Sequence, residues 1–82
     1  MHRAEIKTQR AGRVAKIDCE RIARIARLAG APMDKGAGID LLHKVGAFVH
    51  AGDALYRIHA NSETGLSFAN DLAAERSGYE VN

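Results

Sequence analysis

Eighty-two residues, 46% hydrophobic and 27% charged with a single proline, predict one small globular domain, since a chain this short closes around one core and buries only about two-thirds of its unfolded surface. Disorder and membrane insertion are excluded by that balance and by the lack of any apolar run near the roughly 20 residues a span requires. Twelve basic and ten acidic side chains, net +2, are spread along the length, so the charge argues only weakly for a polyanion and neither a nucleic acid nor a membrane is an expected partner.

Polar and apolar residues alternate from Ala4 to Gln9 and from Arg13 to Ile17, which predicts two short strands meeting at a glycine turn at Ala11-Gly12. A helix follows. Asp18 caps it, because its carboxylate can accept from the free amides of the first turn, and Gly30 closes it. Cys19, Ile22, Ala23, Ala26 and Ala29 recur at helical spacing as the inner stripe, widened by Ile25 and Leu28, while Arg21, Arg24 and Arg27 fall at successive threes on another side. GAPMDKGAG, Gly30 to Gly38, is an ordered loop in which Gly30, Gly36 and Gly38 permit unusual dihedrals. Ile39–Val45 and Ala54–Ala60 are strands on either side of GAFVHAGD, with Phe48-Val49 a short rung between two glycine turns. Asn61 or Ser62 caps a second helix whose inner face is Leu66, Ala69 and Ala73, with Phe68 and Leu72 beside it, and Tyr79–Val81 returns as an edge strand. The order predicts an α+β domain, two helices on a mostly antiparallel sheet.

Candidates for chemistry are few. The frame V-G-x-x-V-x-A-G-D-x-L from Val45 to Leu55 is similar to the one biotin- and lipoate-carrying domains use to hold out a modified lysine. Here the position of that lysine holds Ser62, and Lys44 and Lys35 lie elsewhere, so the frame is expected to be architectural. His43, His50 and His59 lack a metal-ligand spacing, and no metal site is expected. Cys19 sits near a helix N-terminus, where a thiol can be activated, yet its place in the stripe favours a small core residue. As a lone cysteine it closes no internal disulfide, and no signal peptide opens the chain, so a reducing cytoplasm is the expected compartment. Lys35 precedes Gly36 with no Ser or Thr after it, which rules out a phosphate-binding loop of the Walker type. The arginines at 21, 24 and 27 form a solvated face or a protein contact, with Glu20 placed to pair with Arg24.

AGRVAKID at Ala11–Asp18, AGAPMDKGAGIDLLHKVGAFVHAGDALYRIHA at Ala29–Ala60 and the NSETGL that follows resemble the C-terminal domain of thymidine and pyrimidine-nucleoside phosphorylases. The GAP-x-DKGAGI string is most similar to the branch that includes archaeal AMP phosphorylases and their bacterial thymidine phosphorylase relatives. The resemblance runs from about Ala4 to Leu72 and rests on glycines, Pro32, Asp34, Lys35 and Asp53 agreeing in order and spacing.

That resemblance implies an α/β-hammerhead fold related to the barrel-sandwich frame of the carriers, and residues 1–82 as the C-terminal accessory domain of a longer enzyme. The parent enzymes cleave the N-glycosidic bond of a nucleoside, or of a nucleotide in the AMP branch, with inorganic phosphate as co-substrate and no metal or organic cofactor. Their catalytic residues lie in domains N-terminal to anything present here, so no catalytic, cofactor or metal residue is assigned. Gly12, Gly30, Gly36, Gly38, Gly46, Gly52 and Asp53 are expected to form turns, and Arg21, Arg24 and Arg27 a possible partner face. Expected partners are the catalytic domains of the same chain and further subunits of a homo-oligomer. The chain stops at Tyr79–Asn82 where relatives continue with a further short strand, so the last element is expected to be truncated or replaced. The alternative is a free-standing biotinyl- or lipoyl-like carrier module.

Overall fold

The computed structural model describes residues 2–82. In chain order the elements are β1 (His2–Lys7), β2 (Gly12–Ile17), α1 (Cys19–Ala29), β3 (Gly38–Leu41), β4 (Phe48–Val49), β5 (Ala54–Ala60), α2 (Glu63–Glu75) and β6 (Tyr79–Val81). The α+β class follows directly, but the strands form two antiparallel three-stranded sheets, ordered β1-β5-β3 and β4-β2-β6.

The hairpin expected between the first two strands does not form. β1 pairs with β5, placing Glu5 opposite Arg57, whereas β2 pairs with β4 and β6, placing Arg13 opposite Phe48 and Val14 opposite Val81. Thr8 supplies the physical reason for the divergence. Its hydroxyl donates to the Arg10 carbonyl (2.9 Å) and accepts from the Arg10 amide (3.2 Å), a local turn that competes with continued pairing and redirects the chain. β1 therefore ends at Lys7 rather than Gln9, and Gly12 opens β2 instead of closing a hairpin. Likewise β3 ends at Leu41, not Val45, because Lys44 to Ala47 form a β-turn, with the Ala47 amide donating to the Lys44 carbonyl (3.0 Å).

Both helices are capped from the predicted side chains. Asp18 accepts from the Arg21 amide (3.1 Å), and Ser62, rather than Asn61, accepts from the Gly65 amide (3.0 Å). Gly30 ends α1 at φ 122° with its amide on the Arg27 carbonyl (3.0 Å). The helices run antiparallel. Arg21 at the start of α1 reaches the end of α2, and Gly65 at the start of α2 lies so close to the Leu28 and Ala29 carbonyls that an added Cβ would stand 3.4 and 3.3 Å from them.

The core runs between the helices and both sheets, with Val14, Ile25, Val49, Tyr56 and Ile58 the largest fully buried side chains. Ala29, Leu55, Ala60, Ala69, Ala73 and Val81 complete it. Toward the sheet, α1 turns Ile22, Ile25, Ala26 and Ala29. Cys19 and Ala23, expected in that stripe, are exposed, and Leu28 is 41% exposed. The seven residues of that stripe spread over about 220° of the helix circumference, so a stripe that wide wraps past the contact and its flanks reach solvent. Phe68 is exposed for the same reason, on the flank of α2 beside the buried Ala69.

Candidate functional site

The glycine frame between β3 and β5 is the one place where the sequence points to a borrowed chemical device. Its two bends are built alike. In the first, Gly46 at φ 95° donates its amide to the Val14 carbonyl (2.8 Å), and the Val14 amide returns a bond to the Ala47 carbonyl (2.8 Å). In the second, Gly52 at φ 92° donates to the Thr8 carbonyl (2.8 Å), and the Thr8 amide returns a bond to the Asp53 carbonyl (2.9 Å). Each glycine adopts the left-handed backbone that lets a turn double back and present its amide to a neighbouring strand. The Asp53 carboxylate closes the second bend by accepting from the His50 amide (2.8 Å). Both glycine amides and the Asp53 carboxylate of the frame are thus used on the protein's own backbone.

The carrier position is used in the same way. Ser62 is the N-cap of α2, with its hydroxyl on the Gly65 amide, so it lies at a helix start rather than at a free hairpin tip. Lys35 lends its carbonyl to the Asn61 side-chain amide (2.8 Å) in the α1–β3 loop, and Lys44 precedes the first bend.

The three histidines go to separate partners. His43 Nδ1 lies 3.0 Å from the Ala54 carbonyl, His59 Nε2 lies 2.8 Å from the Asp40 carboxylate across the β3–β5 pair, and His50 stands on the surface beside Asp53 and Phe48. Among the described residues no three His, Cys, Asp or Glu side chains gather as metal ligands would.

The arginine face divides. Arg21 is half-buried, and its guanidinium donates to the Arg76 carbonyl (2.6 Å) and the Leu72 carbonyl (2.8 Å), the unsatisfied end of α2. Arg24 and Arg27 are exposed. The expected Glu20–Arg24 ion pair is absent among the described residues, where the pairs are Arg57–Glu5 (2.8 Å), His59–Asp40, His50–Asp53 and Arg76–Asp18. The Arg57 hydrogen bond holds the exposed Glu5 carboxyl below the usual carboxylate range. A shallow depression of about 270 Å³ lies between Lys16, Asp18, Arg76 and Tyr79, with Glu80 on its rim. Its two carboxylates oppose its two cations, so a phosphate would gain little there.

Sequence reasoning missed three contacts. Arg21 caps a helix over fifty residues away, Tyr56 donates to the Ser77 carbonyl (2.8 Å), and Tyr79 donates to the His43 carbonyl (2.7 Å). The last two phenols are stacked at a tilt, ring centroids 5.6 Å apart, and burial raises the pKa of both. None has a local signal, because each joins elements distant in sequence.

Similarity to known proteins fits this geometry. Residues 13–80 match the family described as the pyrimidine nucleoside phosphorylase C-terminal domain. A Methylococcus capsulatus protein named "Putative thymidine phosphorylase" is 47% identical over 77 residues, which cover 94% of this chain and 15% of that protein. The protein of that name from Albidiferax ferrireducens is 49% identical over 77 residues, with the same two shares. A "Bifunctional ribose 1,5-bisphosphokinase-thymidine phosphorylase" of Azorhizobium caulinodans is 49% identical over 76 residues, 93% of this chain and 11% of that protein. The chain therefore spans about a seventh or less of the length of the curated relatives it matches. With most of its length matched and its glycine frame spent on backbone bonds, the chain belongs to the pyrimidine nucleoside phosphorylase C-terminal domain family.

Proposed function

We propose that this chain acts as the non-catalytic C-terminal domain of a phosphorylase acting on thymidine, another pyrimidine nucleoside, or AMP. In that reaction a phosphate oxygen bonds to the anomeric carbon as the carbon–nitrogen bond to the base breaks. The base leaves with a proton, and the sugar departs as its 1-phosphate. Inorganic phosphate is the co-substrate, no cofactor or metal takes part, and the residues that bind phosphate and base belong to domains preceding this one. The domain itself packs against those catalytic domains and limits how they close over substrate, a gating role that hinged bodies commonly serve. The whole enzyme works as a cytoplasmic homo-oligomer.

The observation that carries the reading is the match over residues 13–80 combined with its small share of each relative. The fold is in keeping with it, since the side chains of Ser62, Asp53, His43 and Arg21 are each committed to holding backbone. Two measurements test it. The coding sequence upstream of this segment should continue in frame into catalytic domains. The 82-residue chain alone should release no base from thymidine, uridine, cytidine or AMP in the presence of phosphate, while the full-length polypeptide should release it from at least one of them. Turnover by the short chain would overturn the assignment.

A further inference from the structure

Among the described residues seven large apolar side chains stand exposed, and four of them fall in one eight-residue stretch: Leu41 (49%), Leu42 (40%), Val45 (59%) and Phe48 (55%). A single exposed leucine needs no explanation, but a run of them on one segment does. The segment is also held firmly. The Leu42 amide donates to the Leu55 carbonyl (3.0 Å), and His43 is bound through its ring to Ala54 and through its carbonyl to Tyr79. Gly46 and Ala47 are clamped to Val14. The apolar groups are thus presented by an ordered main chain, so a partner that covers them has little backbone left to immobilise.

The middle of the segment carries only positive charge, with the exposed Asp40 and the half-exposed Asp53 beyond its two ends. No carboxylate occurs between Asp40 and Asp53, Lys44 is exposed, and the Arg13 guanidinium reaches across to the Gly46 carbonyl (2.8 Å).

We infer that this strip is the seat of the catalytic portion of the same polypeptide, which meets it with an apolar patch edged by carboxylates. The inference rests on the accessory-domain reading above and adds the docking surface. Length selects the occupant: most of each matched relative lies outside the part this chain covers, and a tethered neighbour is present at an effective concentration in the millimolar range. A second copy is the competing occupant, and the dilution arm of the test separates it from the tethered one.

The test uses the full-length polypeptide with Cys19→Ser, carrying Val45→Cys or Phe48→Cys, with thiol labelling read at each site by mass spectrometry. Both thiols should label at least about tenfold more slowly than in the same chain unfolded by urea, because a covered thiol reacts only when the contact opens. That protection should persist on dilution. Labelling near the unfolded rate would overturn the inference. Protection lost on dilution together with a fall in particle mass would give the strip to a second copy and overturn it as well. Unprotected thiols in a chain that still carries out phosphorolysis defeat only the docking surface, and protected thiols in a chain without phosphorolysis defeat only the proposed activity.

Discussion

At Gly52 the backbone stands at φ 92° and a Cβ built there meets nothing within 4 Å, so a side chain is opposed by backbone strain alone. Gly52→Val should therefore cost about 1–2 kcal/mol, and Gly52→Asn less, because asparagine tolerates the left-handed region better. Urea unfolding checks this through a lowered midpoint at unchanged slope. The two frame bends were legible because turn chemistry is local: V-G-x-x-V-x-A-G-D carries its own geometry whatever lies around it. The phenols were not. Tyr56 is fully buried with its hydroxyl on the Ser77 carbonyl, and burial raises its pKa, as it does for Tyr79. A phenol is neutral while protonated, so a raised folded value means the folded state holds the proton more tightly than the unfolded chain. Stability from this source is complete below the unfolded value of about 10 and declines as pH rises above it. Tyr56→Phe should lose about 1 kcal/mol near neutral pH with the hydrogen bond, and should show a shallower decline above pH 10, measured by thermal unfolding across pH. Tyr79 keeps some of the alkaline slope.

Element boundaries follow from caps and periods, which is why Asp18, Gly30, Ser62 and the whole of β5 could be placed from sequence. Which face of an element meets which neighbour is a different matter. The arginines at 21, 24 and 27 have the same spacing and the same chemistry, and only the antiparallel packing of α2 on α1 separates them by bringing the α2 carbonyls over Arg21. Arg21→Ala should cost about 1–2 kcal/mol, below the full value of charged hydrogen bonds because the side chain is half-exposed, whereas Arg24→Ala and Arg27→Ala should each stay within about 0.5 kcal/mol. Chemical unfolding of the three single variants decides it, and equal losses would contradict the helix-capping role. The same reasoning explains Cys19: periodicity placed it on the stripe, but it sits at the first turn of α1, where its sulfur lies 3.9 Å from the Ile17 carbonyl and the rest of the residue faces water.

On the scale of the molecule, alternation reports which residues of a strand face the core but not which strand lies beside it. Five strands and the Phe48-Val49 rung were placed from sequence, while their division into two sheets was not, since it depends on pairings such as β1 with β5 and β2 with β6 that cross most of the chain. The second of these pairings closes the domain. The Arg13 and Asn82 backbones exchange two hydrogen bonds of 3.0 Å, and a Cβ at Gly12 would collide with the Asn82 carbonyl and come within 3.2 Å of a Val81 methyl. Glycine at 12 is thus required by an approach from the far end of the chain as well as by its φ of 153°. Gly12→Ala should destabilise by about 2–3 kcal/mol, combining backbone strain with displacement of β6. Val81→Ala, which empties a buried site on the same strand, should cost about 1–2 kcal/mol. Because the first substitution pushes β6 away and the second removes part of what it is pushed against, the double variant should lose less than the sum by at least about 0.5 kcal/mol. A strictly additive cycle would mean that the two ends of the sheet are held independently and that Gly12 answers only to its own backbone conformation.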